Sequence, residues 1–209
     1  MSVFESRGFV DVVRSRRMTR AFSSDPLPSG LLESLVDLAS RAPSAGKTQG
    51  WHLLALEGQQ TARFWDVTLP ADRRDGFRWP RLLDAPAILL PFADPQAYVD
   101  RYSEPDKAAT GLGESPEAWA APYWTIDASM AVMTLLHGVE AAGLGALFFG
   151  VFRGEAELRG SLGVPEHLEL LGAIAVGHRA PDDPDAQGTG RSAARARRSP
   201  DEIIHRGGW

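Results

Sequence analysis

The stretch YWTIDASMAVMTLLHGVEAAGLGALFFG, residues 123–150, decides how the rest of the chain is read. Ile126, Met130, Met133, Leu136 and Val139 recur three or four residues apart, and Ala and Gly fill much of the space between. That spacing predicts a helix over Tyr123–Gly143, and a helix apolar nearly all round belongs at the centre of a fold. The apolar run Leu147–Phe152 behind it reads as a strand. Ala87–Ala93 is a second apolar run of strand length without polar alternation, so both its faces are expected to be covered. Trp51–Leu56 and Leu170–Val176 complete the expected strands. Phe9, Val10, Val13 and Arg14 mark a short first helix. Pro28–Arg41 marks another, with Leu31, Leu32, Leu35, Val36, Leu38 and Ala39 on one face. Residues 57–80 are amphiphilic and rich in Arg and Asp, which predicts a helix and a surface excursion. From Asp94 to Pro122 Pro, Gly, Asp and Glu dominate, and a loop or lid with little core of its own is expected.

The 209 residues are 44% hydrophobic and 23% charged, which excludes disorder, collagen and coiled-coil arrays, and the length suits one domain over residues 1–209. Against 22 Lys and Arg stand 27 Asp and Glu, a balance of −5 that argues against a surface built to grip nucleic acid. The tail arginines Arg191, Arg195, Arg197 and Arg198 have no aromatic residue among them on which bases would stack. With no cysteine, disulfides, thiolate metal sites, Fe–S clusters and a cysteine nucleophile are excluded. The opening MSVFESRGFVDVV does not read as a signal peptide and no apolar stretch is long enough to span a bilayer, so a cytoplasmic protein is expected.

Two nucleotide-like motifs fail on context. Gly46-Lys47-Thr48 resembles the end of a phosphate-binding loop, but Arg41 stands where its first Gly belongs and a helix, not a strand, precedes it. Gly143-Leu144-Gly145 resembles a dinucleotide fingerprint, but it follows a helix and Phe148 takes the third Gly position. The five histidines show no metal-ligand spacing, and no G-x-S-x-G elbow exists. Redox or group-transfer chemistry would therefore need a bound cofactor.

Four segments in order carry a family resemblance: Ser15–Phe22 (SRRMTRAF), Ala42–Trp51 (APSAGKTQGW), the passage from Asp127 through Gly143–Ala146 to Phe149–Gly150, and Arg197–His205 (RRSPDEIIH). They resemble the FMN-dependent nitroreductase family, in register from about residue 11 to the C-terminus. The resemblance implies an α+β fold with a central, mostly antiparallel sheet flanked by helices. It implies a homodimer with two FMN sites at the interface, and a C-terminal strand swapped between subunits, with residues 182–209 as the crossing arm.

The residues themselves suit a flavin. Arg16, Arg17 and Arg20 cluster where a helix ends, and guanidinium forks bind phosphate in paired hydrogen bonds; a solvated basic helix end is the plainer reading. The resemblance places Arg16, Arg17, the Met18 backbone and Arg20 around the ribityl phosphate and pyrimidine ring. Pro43, Ser44 and Ala45 are small or restricted enough for a backbone to approach a flat ring closely, or to make an ordinary turn. The resemblance brings this segment from the partner subunit onto the dimethylbenzene end. Lys47 replaces the family's usual Asn and Gly50 its usual Pro, so Lys47 points to solvent or to a charged substrate. Arg81 aligns with a cation near flavin N1, where reduction builds negative charge; otherwise it is a surface arginine. Phe149 and Gly150 align with the segment facing the ring, the Gly150 N–H toward N5, although a strand-end glycine is the simpler account. Arg198 best matches a basic residue that the crossing arm brings to the phosphate.

The function implied is NAD(P)H-dependent: NADH or NADPH gives a hydride to flavin N5, and a nitroaromatic, quinone or similar small-molecule acceptor then takes two electrons in the same pocket. No side chain is assigned as a catalyst. Tyr98, Tyr102, Trp119 and Trp124 are expected on the substrate wall. The alternatives are a specialised flavin-dependent dehydrogenase or oxidase on the same fold, and a flavin-binding protein without turnover.

Overall fold

Alternate residues of Ala87–Ala93 (β2) point into two different cores, and this strand organises the molecule. A computed structural model describes residues 8–181 and 195–209. Ile88, Leu90 and Phe92 join Phe22, Phe64, Trp65, Leu147 and Leu158 on one side of the sheet. Ala87 and Leu89 join Leu31, Leu35, Leu135, Leu136, Val139, Ile174 and Val176 on the other. A period of two on a strand covered on both faces gives the unbroken apolar run that the sequence displays, and every residue of β2 is buried.

The strands Trp51–Glu57 (β1), Gly145–Phe149 (β3) and Ala173–Gly177 (β5) complete the principal sheet in the order β1-β2-β5-β3, antiparallel throughout. Leu54 pairs with Leu90, Ile88 with Ala175, and Leu147 with Ala175 on its other side. The expected strand Leu170–Val176 is in fact two. Glu169–Leu170 (β4) pairs with the end of β2, and the chain breaks before β5 at Gly172, with φ 143°. A Cβ at Gly172 would lie 2.7 Å from the Phe149 carbonyl oxygen, so the close approach of β3 requires the glycine.

Six α-helices of the described residues pack around the sheet: Phe9–Ser15 (α1), Leu31–Ala39 (α2), Ala62–Thr68 (α3), Pro95–Ser103 (α4), Tyr123–Ala141 (α5) and Glu155–Leu162 (α6). The helix expected from Pro28 begins at Leu31, after Gly30 in the left-handed region. α2 and α5 cover one face of the sheet and pack on each other. Leu135, Leu136 and Val139 of α5 are buried, yet Tyr123, Ile126 and Met133 stay more than a third exposed. Phe9, Val10 and Val13 of α1, which packs beside α5, are also exposed. One chain thus leaves an apolar strip of its central helix open.

The segment from Asp94 to Pro122 corrects the expectation of a core-poor loop. Asp94 caps α4, its Oδ1 accepting the Ala97 N–H at 3.1 Å, and Pro95 occupies the first turn, where a missing N–H costs nothing. Tyr98 is fully buried, with Ala93, Trp124 and Ala128 around it and Trp119 packed on top. The Trp119 ring lies 5.7 Å from that of Tyr98 and 4.6 Å from that of Tyr102. Polar composition hid a small aromatic core. Tyr98 belongs to that core rather than to an open wall.

The proposed linker Asp182–Gly190 and Arg191 lie outside the described residues. In 195–209 there is a single 3₁₀ turn, Pro200–Glu202, closed by a reciprocal Ser199–Glu202 capping box, and no strand. Ile203, Ile204 and Trp209 are exposed there.

Candidate functional site

Met18 makes a parallel bridge to Ala146, and the Thr19 N–H donates to the Ala146 carbonyl at 2.9 Å. The arginine segment is thereby laid along the free edge of β3. Just before it, the Ser15 hydroxyl donates to Glu140 Oε1 at 2.7 Å, and the buried Glu140 carboxylate pairs with Arg179. A carboxylate tucked under the end of α1 fixes where Arg16 and Arg17 emerge. Arg17 is exposed; Arg16 and Arg20 are half-buried.

Arg20 carries its guanidinium 5.5 Å from the centre of the Trp79 ring, a cation–π contact that orients it. Arg81 Nη2 donates to the Phe22 carbonyl at 3.1 Å, its Nε lies 3.6 Å from Asp84, and the Phe22 N–H returns a bond to the Arg81 carbonyl. Residues 20–22 and 79–81 are thus stitched together. Beside them opens an apolar recess of about 400 Å³ walled by Phe64, Trp65, Phe77, Trp79 and Phe149, with Gly150 at its rim. The exposed Phe152 ring leans on Gly150. An aromatic recess beside the Arg20 and Arg81 segments suits a flat heteroaromatic ring with an anionic tail.

The second group forms elsewhere. Pro43, Ser44, Ala45 and Lys47 lie in the turn before β1. The Ala45 N–H donates to Asp127 Oδ2 at 2.7 Å, the same oxygen that accepts the Tyr98 hydroxyl at 2.7 Å. Arg101 Nε donates to the Gly46 carbonyl at 2.9 Å, and Asp106 holds that guanidinium through both carboxylate oxygens. Burial and the Asp127 bond push the Tyr98 hydroxyl pKa well up, and the Arg101 guanidinium holds Asp106 below the usual carboxylate range. Lys47 is exposed.

A single chain does not bring these two groups together. β1 and β3 are opposite edges of the sheet, three strand spacings or about 14 Å apart. Along α5, Ala45 is anchored at Asp127 and Ser15 at Glu140, thirteen residues and about 20 Å further on. No described hydrogen bond brings Arg198 to either group; its guanidinium meets the Glu202 carbonyl within its own turn.

Several residues that brace these two groups have no role assigned from the sequence. Asp127 had a visible signal, as the lone acid in the first half of an apolar helix. Arg101 and Trp79 had none, since their roles come from contacts across long sequence separations. Among the described residues no His, Asp and Glu groups converge as a metal site, and no helix is long and apolar enough to cross a membrane.

The nitroreductase family model matches residues 13–178. An NADH dehydrogenase of Thermus thermophilus is 29% identical over 183 residues, covering 79% of this chain and 83% of that one. A protein from Exiguobacterium sibiricum, assigned as a nitroreductase and solved in complex with FMN, superposes with a TM-score of 0.74 at 17% identity over 97% of this chain and 99% of its own. A nitroreductase-like protein of Streptococcus mutans gives 0.71 at 18% identity over 94% and 96%.

Proposed function

The chain belongs to the nitroreductase family, and on that premise we propose that it is a homodimeric FMN-dependent oxidoreductase using NADH or NADPH. The observation that carries this reading is the preformed but divided site. One edge of the sheet offers cations and an aromatic recess and the other offers a rigid turn; a second chain would bring the two together. The open strip formed by Phe9, Val10, Val13, Ile126 and Met133 supplies an apolar surface for that second chain.

The donor set fits FMN. Arg16 and Arg17 hold the phosphate, joined by Arg198 from the other subunit, and Arg20 reaches the ribityl and pyrimidine end, steadied by Trp79. Arg81 presents positive charge at the pyrimidine edge, and the bonds it makes to Phe22 and Asp84 fix its position. Phe149 and Gly150 face the ring with their backbone. The partner's copy of the Pro43–Lys47 turn closes the dimethylbenzene end and keeps water from it. Bound FMN would supply two-electron redox chemistry between a nicotinamide and a nitroaromatic, quinone or similar acceptor. Asp127, Tyr98 and Arg101 hold the covering turn still while these two substrates alternate in one pocket.

Absorbance tests this directly. The purified protein should be yellow, should bleach anaerobically with NADH or NADPH, and should recover its colour with a quinone. A colourless protein that does not take up FMN overturns the reading; a yellow one that never bleaches is a flavin-binding protein without turnover.

A further inference from the structure

Three residues of the turn before β1 have left-handed backbones: Gly46 (φ 61°), Lys47 (φ 54°) and Gln49 (φ 54°). Glycine adopts this region freely, whereas a lysine or glutamine there is held by its surroundings. Five bonds do the holding. Ala45 N–H goes to Asp127, Gly46 carbonyl to Arg101, Lys47 N–H to the Ser44 carbonyl, Gln49 N–H to the Ser44 hydroxyl, and Gln49 Nε2 to the Ser40 carbonyl. Thr48 adds its hydroxyl to the Ala45 carbonyl. Ser44, Thr48 and Gln49 thus use their side chains to build the turn. Lys47 does not: its ammonium bonds no described residue, although its backbone carries the strain. Strain kept in place by so many contacts points to a use for the side chain it presents.

Lys47 borders a polar recess of about 500 Å³ together with Arg41, Pro43, Ser44 and Gln49. Among the described residues, the ionisable groups on its wall are the two cations, and no carboxylate lines it. Asp37, in the last turn of α2, meets Arg41 just past the helix end as an exposed pair, a contact weak enough to yield to a ligand. Pro43 and Ser44 belong both to this recess and to the turn proposed to cover the flavin.

We infer that Lys47 and Arg41 form an anion-holding subsite beside the flavin, taking the phosphate or carboxylate end of a substrate stacked on the ring. Two substrates carry such chemistry: the pyrophosphate of the nicotinamide dinucleotide, and an acceptor bearing a carboxylate or sulfonate. The placement beside the flavin rests on the proposed function; the affinity for an anion does not. In a chain of net charge −5 this pair is a local cationic spot and not part of a general field.

The test compares holoenzyme with Lys47→Asn, which tolerates the left-handed backbone without the charge, and Lys47→Arg, which keeps the charge. Calorimetry with inorganic pyrophosphate should show affinity lowered about 5- to 10-fold in Lys47→Asn and retained in Lys47→Arg, the difference vanishing at about 1 M salt, where screening acts within about 3 Å. Stopped-flow measurement of each half-reaction then locates the anion. A matching rise in half-saturating NADH or NADPH assigns it to the dinucleotide; a rise for a sulfonated quinone but not a neutral one assigns it to the acceptor. Equal pyrophosphate affinity in wild type and Lys47→Asn overturns the inference, as does equal half-saturation for all substrates. A wild-type holoenzyme that does not turn over counts against the proposed function alone, because the pyrophosphate titration needs no turnover.

Discussion

Asp127 in α5 accepts the backbone N–H of Ala45 at 2.7 Å, across 82 residues of sequence, and so ties the central helix to the turn that lies before β1. The carboxylate is buried, and the same oxygen takes the Tyr98 hydroxyl. A buried acceptor serving two donors is costly to remove, because both are left without a partner in a medium that offers no water. Asp127→Ala should lose about 2–4 kcal/mol of stability, a fall in Tm of roughly 5–15 °C for a chain this size. Tyr98→Phe removes one donor and leaves the Ala45 bond, so about 1 kcal/mol is expected. Urea denaturation of the two variants checks this, and a wild-type midpoint for Asp127→Ala would show the bond to be dispensable.

Arg20→Ala should weaken FMN binding by about 10- to 150-fold, the worth of one charge-assisted hydrogen bond at about 1.5–3 kcal/mol. Trp79 serves to aim that guanidinium, so Trp79→Leu should weaken binding in the same direction by less. Fluorescence titration of the apoprotein with FMN measures both. An unchanged dissociation constant in Arg20→Ala would mark the arginine as a bystander.

Removing the cation at the pyrimidine edge should make the bound flavin harder to reduce. Arg81→Ala is therefore expected to lower the midpoint potential. It should also cost some stability, because the Phe22 carbonyl loses its guanidinium donor. A potential that holds or rises, in a variant that retains FMN, would remove Arg81 from the N1 side of the ring.

How much of this was legible in the residues depended on the range of the interaction. β2 and α5 were readable because a strand covered on both faces and a largely buried helix each write their environment into consecutive residues. The core of the Asp94–Pro122 segment is hidden in the sequence because Tyr98 and Trp119 are scattered among polar residues and meet each other and Trp124 of α5 only in three dimensions. The split of Leu170–Val176 at Gly172 follows from an approach of the Phe149 carbonyl, which no local pattern encodes. The arginine cluster at Arg16–Arg20 stood out by composition. Its placement on the β3 edge and the Glu140–Arg179 pair beneath Ser15 depend on contacts 39 to 128 residues away. That one chain sets the arginine segment and the Pro43–Lys47 turn at opposite edges of the sheet was visible only in the strand order.

His137 provides a pH signature. Its ring sits on α5 with the Phe9 ring 5.9 Å away, and burial, aided by the nearby Arg16 charge, holds its pKa below the usual value of about 6.5. As pH falls through that value the unfolded chain takes up a proton that the folded chain resists. The stability from neutral His137 is therefore present above about pH 6.5 and declines below it, until the folded ring also protonates. His137→Gln should flatten the loss of stability between about pH 7.5 and 5.5, measured as urea midpoints across that range. Parallel profiles for variant and wild type would assign the pH dependence elsewhere.

The C-terminal segment is the final case. Ile203, Ile204 and Trp209 stand exposed on the single chain, Trp209 completely, with only the His205 ring stacked 3.9 Å from it. Burying those three side chains is worth on the order of 5–8 kcal/mol at about 1.5–3 each, before the entropy of ordering the segment is subtracted. A subunit that receives the arm gains this apolar area and, through Arg198, a further cation for the flavin phosphate. A solvated tail accounts for the arginines but leaves the apolar residues in water for no return. Truncation after Gly190 should accordingly weaken the dimer and lower FMN retention together, because the same residues would serve both. Sedimentation and the flavin-to-protein absorbance ratio read the two losses separately. A truncated chain that stays dimeric and keeps its full complement of FMN would overturn the crossing-arm reading; loss of FMN from an intact dimer would confine the arm to the phosphate.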